Sequence, residues 1–163
     1  MLTKKQFSCG RQSMQNRFAR FSRAFSEIDR CWHKLAADEM AKYELNSPHA
    51  VYLTTLCTFE EGITAAQLGE LCCKNKADVS RMVRILERKG LVRKKAVGGN
   101  FYRAKLLLTE KGKQAAQDVQ QRAALAVELA GAGISEEDRE VFYRCLELIT
   151  ANLQALSKDG LPG

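Results

Sequence analysis

ITAAQLGELCCKNKADVSRMVRILERKGLVRKK, residues 63–95, is the stretch whose reading decides the fold. Thr64 with Gln67 three residues later is a capping box: hydroxyl and amide satisfy backbone N–H groups that a first helical turn leaves unpaired. A short helix therefore opens here and runs through Leu68 and Leu71. Cys72-Cys73-Lys74 interrupts it, and Asn75 reads as the N-cap of a second helix, Lys76–Lys89. Val79, Met82, Val83 and Leu86 recur at helical spacing and form its inward face. Gly90 can take the left-handed conformation that stops a helix. Two helices joined by a tight turn, the second strongly basic, outline a helix-turn-helix.

Downstream, Leu91–Lys95 has strand character, Gly98-Gly99-Asn100 suits a hairpin turn, and Phe101–Leu108 reads as the return strand, so a β-wing follows the second helix. Thr109 caps another helix, with Val119, Ala123, Val127 and Ala130 on one face, broken by Gly131 and Gly133. Ser135 with Asp138 opens a last helix carrying Phe142, Cys145, Leu146, Ile149, Leu153 and Leu156. Upstream, Ser47 as N-cap and Pro48 at the first helical position open a helix containing Val51, Tyr52, Leu53, Leu56 and Phe59, which Glu60-Glu61-Gly62 ends. Before it, Met14, Phe18, Phe21, Phe25, Ile28, Trp32 and Leu35 recur every four and three residues. This heptad stripe predicts a helix from about Gln12 to Lys42, roughly 45 Å long, whose aromatic seam needs a partner surface such as a second subunit.

Charge is unevenly placed. From Lys74 to Lys113 thirteen Lys or Arg face three acids, a net of +10, whereas the rest of the chain has thirteen basic and sixteen acidic residues, a net of −3. A surface built to meet phosphates concentrates charge in this way. Composition is otherwise that of a globular chain, 163 residues with 45% apolar and 28% charged. No window is apolar enough to span a bilayer, and no apolar block follows the basic residues near the N-terminus, so a cytoplasmic location without membrane attachment is expected. The six cysteines, Cys9, Cys31, Cys57, Cys72, Cys73 and Cys145, are expected to be mostly small buried hydrophobes, since no CxxC spacing occurs and only His33 and His49 accompany them. No metal site, cofactor or enzymatic activity is expected, because the chain lacks a phosphate loop, a nucleophile elbow and a ligand cluster.

The helix-turn-helix, with Leu86-Glu87-Arg88-Lys89-Gly90-Leu91-Val92 at its end and Leu108-Thr109-Glu110-Lys111-Gly112 after a Gly-containing turn, resembles the MarR family of bacterial regulators. By motif the resemblance covers about Leu45 to Gln120. It implies a mainly α fold with a small β-wing, a winged helix-turn-helix flanked by N- and C-terminal dimerisation helices. The corresponding organisation is a dimerisation helix over 1–44, the DNA-binding domain over 45–112, C-terminal dimerisation helices over 113–157, and a disordered tail over 158–163. Phe18, Phe21, Phe25, Phe142, Ile149 and Leu153 are then expected at the interface of a homodimer. Two departures from the family pattern put the usual operator in doubt. Ala77-Asp78 stands where Ser-Thr is common, and Asn100-Phe101-Tyr102-Arg103 stands where Asp-x-Arg is common, so either Arg103 or Tyr102 occupies the wing-tip position.

The implied function is a regulator, a repressor, that binds double-stranded DNA as a dimer on a pseudo-palindrome. Recognition-helix residues Asn75, Lys76, Ala77, Asp78, Ser80, Arg81 and Arg84 are the candidates for the major groove. Arg81 is the candidate for a guanine edge, and Asp78 either accepts from a cytosine amino group or supports the helix N-terminus. Thr64, Lys74, Arg93, Lys94, Lys95, Asn100 and Arg103 are the candidates for wing and phosphate contacts. The family resemblance also implies release by a small phenolic or anionic effector, with Trp32, His33, Tyr43 and Tyr52 as pocket residues. Two other readings stand beside this one: a redox sensor using Cys9, placed before the first helix near Lys4, Lys5 and Arg11, and a winged-helix module that binds protein instead of DNA.

Overall fold

The computed structural model describes the backbone of residues 4–97 and 100–161 and the side chains of residues 16–96 and 104–161. Among them, the element order is α1 (Lys4–Ala41), α2 (Pro48–Cys57), β1 (Ile63–Thr64), α3 (Ala65–Leu71), α4 (Lys76–Arg88), β2 (Val92–Val97), β3 (Asn100–Leu108), α5 (Glu110–Ala130) and α6 (Glu136–Asp159). The chain divides into two compact units, Met1–Ala123 and Ala124–Gly163. The expected fold class, mainly helical with a small β-wing, is the one observed.

In the first unit, α1 runs for 38 residues, about 57 Å at the helical rise. It begins eight residues before the expected start at Gln12, so Cys9 lies within the helix and not ahead of it. The side chain of Cys9 lies outside the described residues. Helix α2 starts at Pro48 as expected, but Ser47 has helical backbone angles and makes no capping bond. Its oxygen would have to face the open turn from an extended backbone, and the chain has already begun to coil there. The first-turn N–H groups go to the backbone instead, the His49 N–H donating to the Asn46 carbonyl and the Ala50 N–H to the Ser47 carbonyl, both at 3.0 Å. The helix stops at Cys57, so Phe59 lies beyond it, in a turn that Gly62 closes.

Gly62 (φ +70°) is followed by a strand that periodicity could not reveal. β1 is two residues long and pairs Ile63 with Leu106 and Thr64 with Lys105, giving an antiparallel sheet of order β1-β3-β2. A Cβ on Gly62 would lie 2.6 Å from the Leu106 carbonyl oxygen, which is why the turn into β1 takes a glycine. β2 and β3 pair Val92 with Leu108 through Lys95 with Lys105, and the register shifts between Lys95 and Val97. Asn100, expected in the turn, already belongs to β3; Gly98 and Gly99 lie outside the described residues.

The core of this unit gathers Tyr52, Leu53 and Leu56 of α2, Leu68 of α3, Val79, Val83 and Leu86 of α4, Leu91, Val92, Leu106 and Leu108 of the sheet, and Ala115, Ala116 and Val119 of α5. Met40 from the end of α1 is fully buried in it. The core therefore draws side chains from both sides of the 45–112 limits expected for the DNA-binding domain. Removing this much apolar surface from water supplies the main drive for folding.

The join between wing and α5 explains the Leu-Thr-x-x-Gly sequence. The Thr109 hydroxyl accepts from the Gly112 N–H at 3.0 Å and donates to the Gly90 carbonyl at 2.7 Å. The Thr109 N–H donates to the Leu91 carbonyl at 2.9 Å. A Cβ on Gly112 would lie 2.0 Å from that same carbonyl oxygen, so α5 can seat against the end of the helix-turn-helix only with glycine there.

In the second unit, Ser135 accepts from the Asp138 N–H at 3.1 Å and opens α6. The preceding turn takes Gly133 at φ +86°, and Gly131 lies under the Arg139 guanidinium. Helix α6 continues to Asp159, so Lys158 and Asp159, expected in a disordered tail, are helical; residues 162 and 163 lie outside the described ones.

Candidate nucleic-acid interface

Asn75 sets the start of α4, its Oδ1 accepting from the Asp78 N–H at 2.9 Å. The two helices of the motif approach closely at Gly69, where a Cβ would lie 3.1 Å from the Lys74 carbonyl oxygen and 3.2 Å from Val79. Between them Cys73 has φ +52°, a left-handed residue that turns the chain, and the Lys74 N–H donates to the Gly69 carbonyl at 2.8 Å. The capping box at α3 is formed as expected: the Gln67 N–H donates to Thr64 Oγ1 and the Thr64 N–H donates to Gln67 Oε1. The Thr64 hydroxyl also donates to Gln67 Oε1, so its bonding is taken up within the helix terminus.

Val79, Val83 and Leu86 turn α4 inward, and the opposite side carries Ala77, Ser80, Arg81, Arg84 and Arg88, all exposed. These positions recur at three and four residues and form one outward face. Lys76 is exposed on the first turn. Arg88 extends the face one turn past Arg84, and its i, i+4 spacing from Arg84 was the signal in the sequence.

On the wing, Arg93, Lys94 and Lys95 are exposed on β2. The backbone of Asn100 and Arg103 lies in β3, and their side chains, like that of Tyr102, lie outside the described residues. Lys74 is exposed in the turn of the motif. The acids of the basic quarter are engaged: Asp78 with Arg81 at 3.5 Å, Glu87 with Lys94 at 2.7 Å and Glu110 with Lys113 at 2.8 Å. Lys89 pairs with Glu44. Among the described residues of the basic quarter, Lys74, Lys76, Arg84, Arg88, Arg93, Lys95, Lys105 and Lys111 have no acidic partner, and all but Lys111 lie on α4, its approach and the wing. The Glu87–Lys94 pair ties the wing to α4 and leaves Lys94 a less available cation than its neighbours.

Taken by itself, α1 exposes its expected seam: Phe18 (71%), Phe21, Phe25, Ile28, Trp32 and Leu35 all face solvent, with the Phe21 and Phe25 rings 4.5 Å apart. Taken by itself, α6 buries no residue and exposes Phe142, Leu148 and Leu153, with Ile149 half-buried.

The four residues expected to line an effector crevice occupy unlike environments. Trp32 is on the exposed seam, and the exposed His33 ring has its Nδ1 2.9 Å from the Asp29 carbonyl oxygen. Tyr52 is sealed in the core at 1% exposure, with no hydrogen-bond partner for its hydroxyl among the described residues. Its pKa is raised, first by burial and then by Cys72 and Asp78. Tyr43 is half-buried and donates to Asp118 of α5 at 2.5 Å. Burial, and then the bond to this carboxylate, push the Tyr43 hydroxyl up to about 12. The Asp118 carboxyl is held below its usual range by the Tyr43 bond and by one from Gln114. Tyr43 is thus a tie between the end of α1 and α5. The cysteines also differ from expectation: of the five described, only Cys72 is buried, while Cys31, Cys73 and Cys145 are exposed, because they sit on outward faces and at the turn. Among the described residues, no group of three or more His, Cys, Asp or Glu could hold a metal ion, and no helix is long and apolar enough to cross a membrane.

A capped helix pair with a close glycine contact, a basic outward helix and an antiparallel hairpin behind it define a winged helix-turn-helix. Residues 45–97 match the model of the MarR family, which bears out the resemblance read from the motifs. Solved structures agree over most of the chain. The S. aureus MepR–DNA complex is 19% identical with a TM-score of 0.73, covering 81% of this chain and 97% of that one. A MarR family transcriptional regulator from Listeria monocytogenes complexed with 26mer DNA is 23% identical with a TM-score of 0.73, covering 86% and 95%. The transcriptional regulator SlyA is 21% identical with a TM-score of 0.74, covering 82% and 93%. At these identities the likeness establishes the fold, that of MarR-family transcriptional regulators. Among curated proteins, none matches the chain.

Proposed function

We propose that the chain is a sequence-specific, DNA-binding transcription regulator that acts as a homodimer on a pseudo-palindromic operator. The observation that carries this reading is the single outward face of α4, where Arg81, Arg84 and Arg88 recur at three and four residues, with Lys76 exposed at the helix start and Arg93 and Lys95 exposed on the wing. A helix about 10–12 Å across fits the major groove, and its N-terminal residues come nearest the base edges. Arg81 is then the reader of a guanine edge, while Lys74, Arg93 and Lys95 meet phosphates. MepR and the Listeria monocytogenes regulator, which share the fold, are seen with DNA.

Dimerisation follows from the apolar seam of α1. Six large side chains in line on one helix, all exposed, are more apolar surface than a monomer ordinarily leaves in water. A symmetric pair of recognition helices would read half-sites about 10 base pairs apart.

Selection of bound duplexes from a random pool tests the proposal directly. The expected result is an inverted repeat with that spacing, and Arg81→Ala should relax one base preference per half-site. Recovery of no preferred sequence would refute specific binding. Sedimentation of Phe21→Glu beside the unaltered protein tests the dimer, which should fall to monomer; two proteins of equal, monomeric mass would refute it.

A further inference from the structure

Asp78 is out of place on a surface meant for a polyanion. It sits on the first turn of α4, partly exposed, where its charge repels phosphate, and a neutral residue would leave the helix cap intact because Asn75 accepts from its backbone N–H. The side chain, however, has a partner on each side, a hydrogen bond from Asn75 and a longer ion pair with Arg81. Asp78 Oδ2 accepts from Asn75 Nδ2 at 2.8 Å, and Oδ1 lies 3.5 Å from Arg81 Nη2. Asn75 therefore uses both ends of its amide, one to start the helix and the other to fix the carboxylate. The carboxylate in turn faces the guanidinium one turn along the same surface.

We propose that Asp78 is a specificity-determining positioning residue, which holds the Arg81 guanidinium over the N-terminal face of α4 so that its fork meets one base edge. This inference rests on the DNA-binding reading above. A free arginine side chain samples many rotamers and finds phosphates as readily as bases, because its charge is satisfied by either. Tethering it to Asp78 neutralises part of that charge and restricts its directions. Phosphates then compete less well, while a guanine edge, which needs two parallel donors in a fixed orientation, competes better. The expected signature is a trade. Loss of Asp78 should strengthen binding to all DNA and weaken discrimination at the base that Arg81 reads. An exposed ion pair of this kind supports a change of about two- to fivefold in discrimination.

The experiment compares four full-length proteins: unaltered, Asp78→Ala, Arg81→Ala and the double variant. Each is put through selection from a random duplex pool and titrated against one selected site and one unrelated duplex. Arg81→Ala identifies the base position that depends on Arg81. Asp78→Ala is expected to relax that same position about two- to fivefold, to bind the unrelated duplex more tightly, and to have no further effect on discrimination when Arg81 is already alanine. Asp78→Glu, which keeps the charge but shifts it by a methylene, should restore part of the preference. A purely structural role would weaken all sequences alike and leave the preference pattern unchanged, and that result overturns the proposal. Relaxation at a different base position would mean that Asp78 touches a base itself, and additive effects in the double variant would mean that it acts without Arg81; both overturn it. Failure of the unaltered protein to select any sequence overturns the DNA-binding reading and this inference together, whereas normal selection with any of the other contrary results overturns this inference alone.

Discussion

Replacing Gly112 with alanine should reverse the usual sign of that substitution. Alanine is the better helix former by about 1 kcal/mol, so a glycine on the first turn of α5 would ordinarily gain from it. Here the added methyl would stand 2.0 Å from the Leu91 carbonyl oxygen, 2.9 Å from its carbon and 3.2 Å from the Leu108 side chain. The first two are backbone atoms, and the same carbonyl accepts the Thr109 N–H. No rotamer change can relieve the contact; α5 must move off the helix-turn-helix. That opens the Thr109 bonds to Gly90 and Leu91 and loosens Ala115 and Ala116, which are fully buried. Overpacking alone costs about 1–3 kcal/mol, and each released hydrogen bond about 1 kcal/mol more, so a net loss of about 3 kcal/mol is expected. With a urea slope of about 1–3 kcal/mol per molar, the midpoint should fall by at least about 1 M, at matched protein concentration. Gly90→Ala is the internal comparison. Gly90, unlike Gly112, is at positive φ (+69°), and nothing lies within 4 Å of its Cβ position, so its cost is only the left-handed backbone, about 1–2 kcal/mol. Asparagine, which tolerates that conformation, should recover part of the loss at 90 and none at 112. A Gly112→Ala protein as stable as the original, or more so, would refute the close approach of α5 to Leu91.

Tyr52→Phe should stabilise the protein by about 1 kcal/mol in thermal or urea unfolding, because it removes a buried hydroxyl that has no partner; a loss of that size would show a bond to that hydroxyl. The Tyr43–Asp118 tie makes stability depend on pH at both ends. The lowered Asp118 pKa contributes above the ordinary carboxylate value and is lost as pH falls through the folded value, and the raised Tyr43 pKa contributes below about 10 and is lost as pH climbs through about 12. The stability gap between the original protein and Tyr43→Phe should therefore be widest near neutrality and shrink toward both extremes; a gap independent of pH would contradict the pairing. In DNA titrations, affinity should fall by about 10³ between 50 and 200 mM salt if six phosphates are neutralised. Lys95→Ala should weaken binding to every sequence more than Lys94→Ala does, since Glu87 already holds Lys94; equal effects would mean that the Glu87 pair dissolves on DNA.

Local chemistry made the order of elements readable from the chain alone. Asn75, the Thr64–Gln67 box, Ser135 and the left-handed Gly90 each act within a turn of where they stand, and Val79, Val83 and Leu86 mark an inward face by spacing that any helix imposes. The opposite, arginine-bearing face follows from the same period, so most of the candidate interface was legible too. What involved distant partners was not. β1 exists because β3 pairs with it across some forty residues, and two residues carry no periodicity. Tyr52 has the composition of a pocket residue and the position of a core one, which only the packing of α2 against α3 and α4 decides. Glycine at 112 looks like a weak helix residue until the Leu91 carbonyl is brought against it, and Asp78 looks like a misplaced charge until Arg81 and Asn75 are seen to hold it. Propensity and period are properties of neighbours along the chain, whereas burial, strand pairing and the direction of a guanidinium depend on neighbours in space.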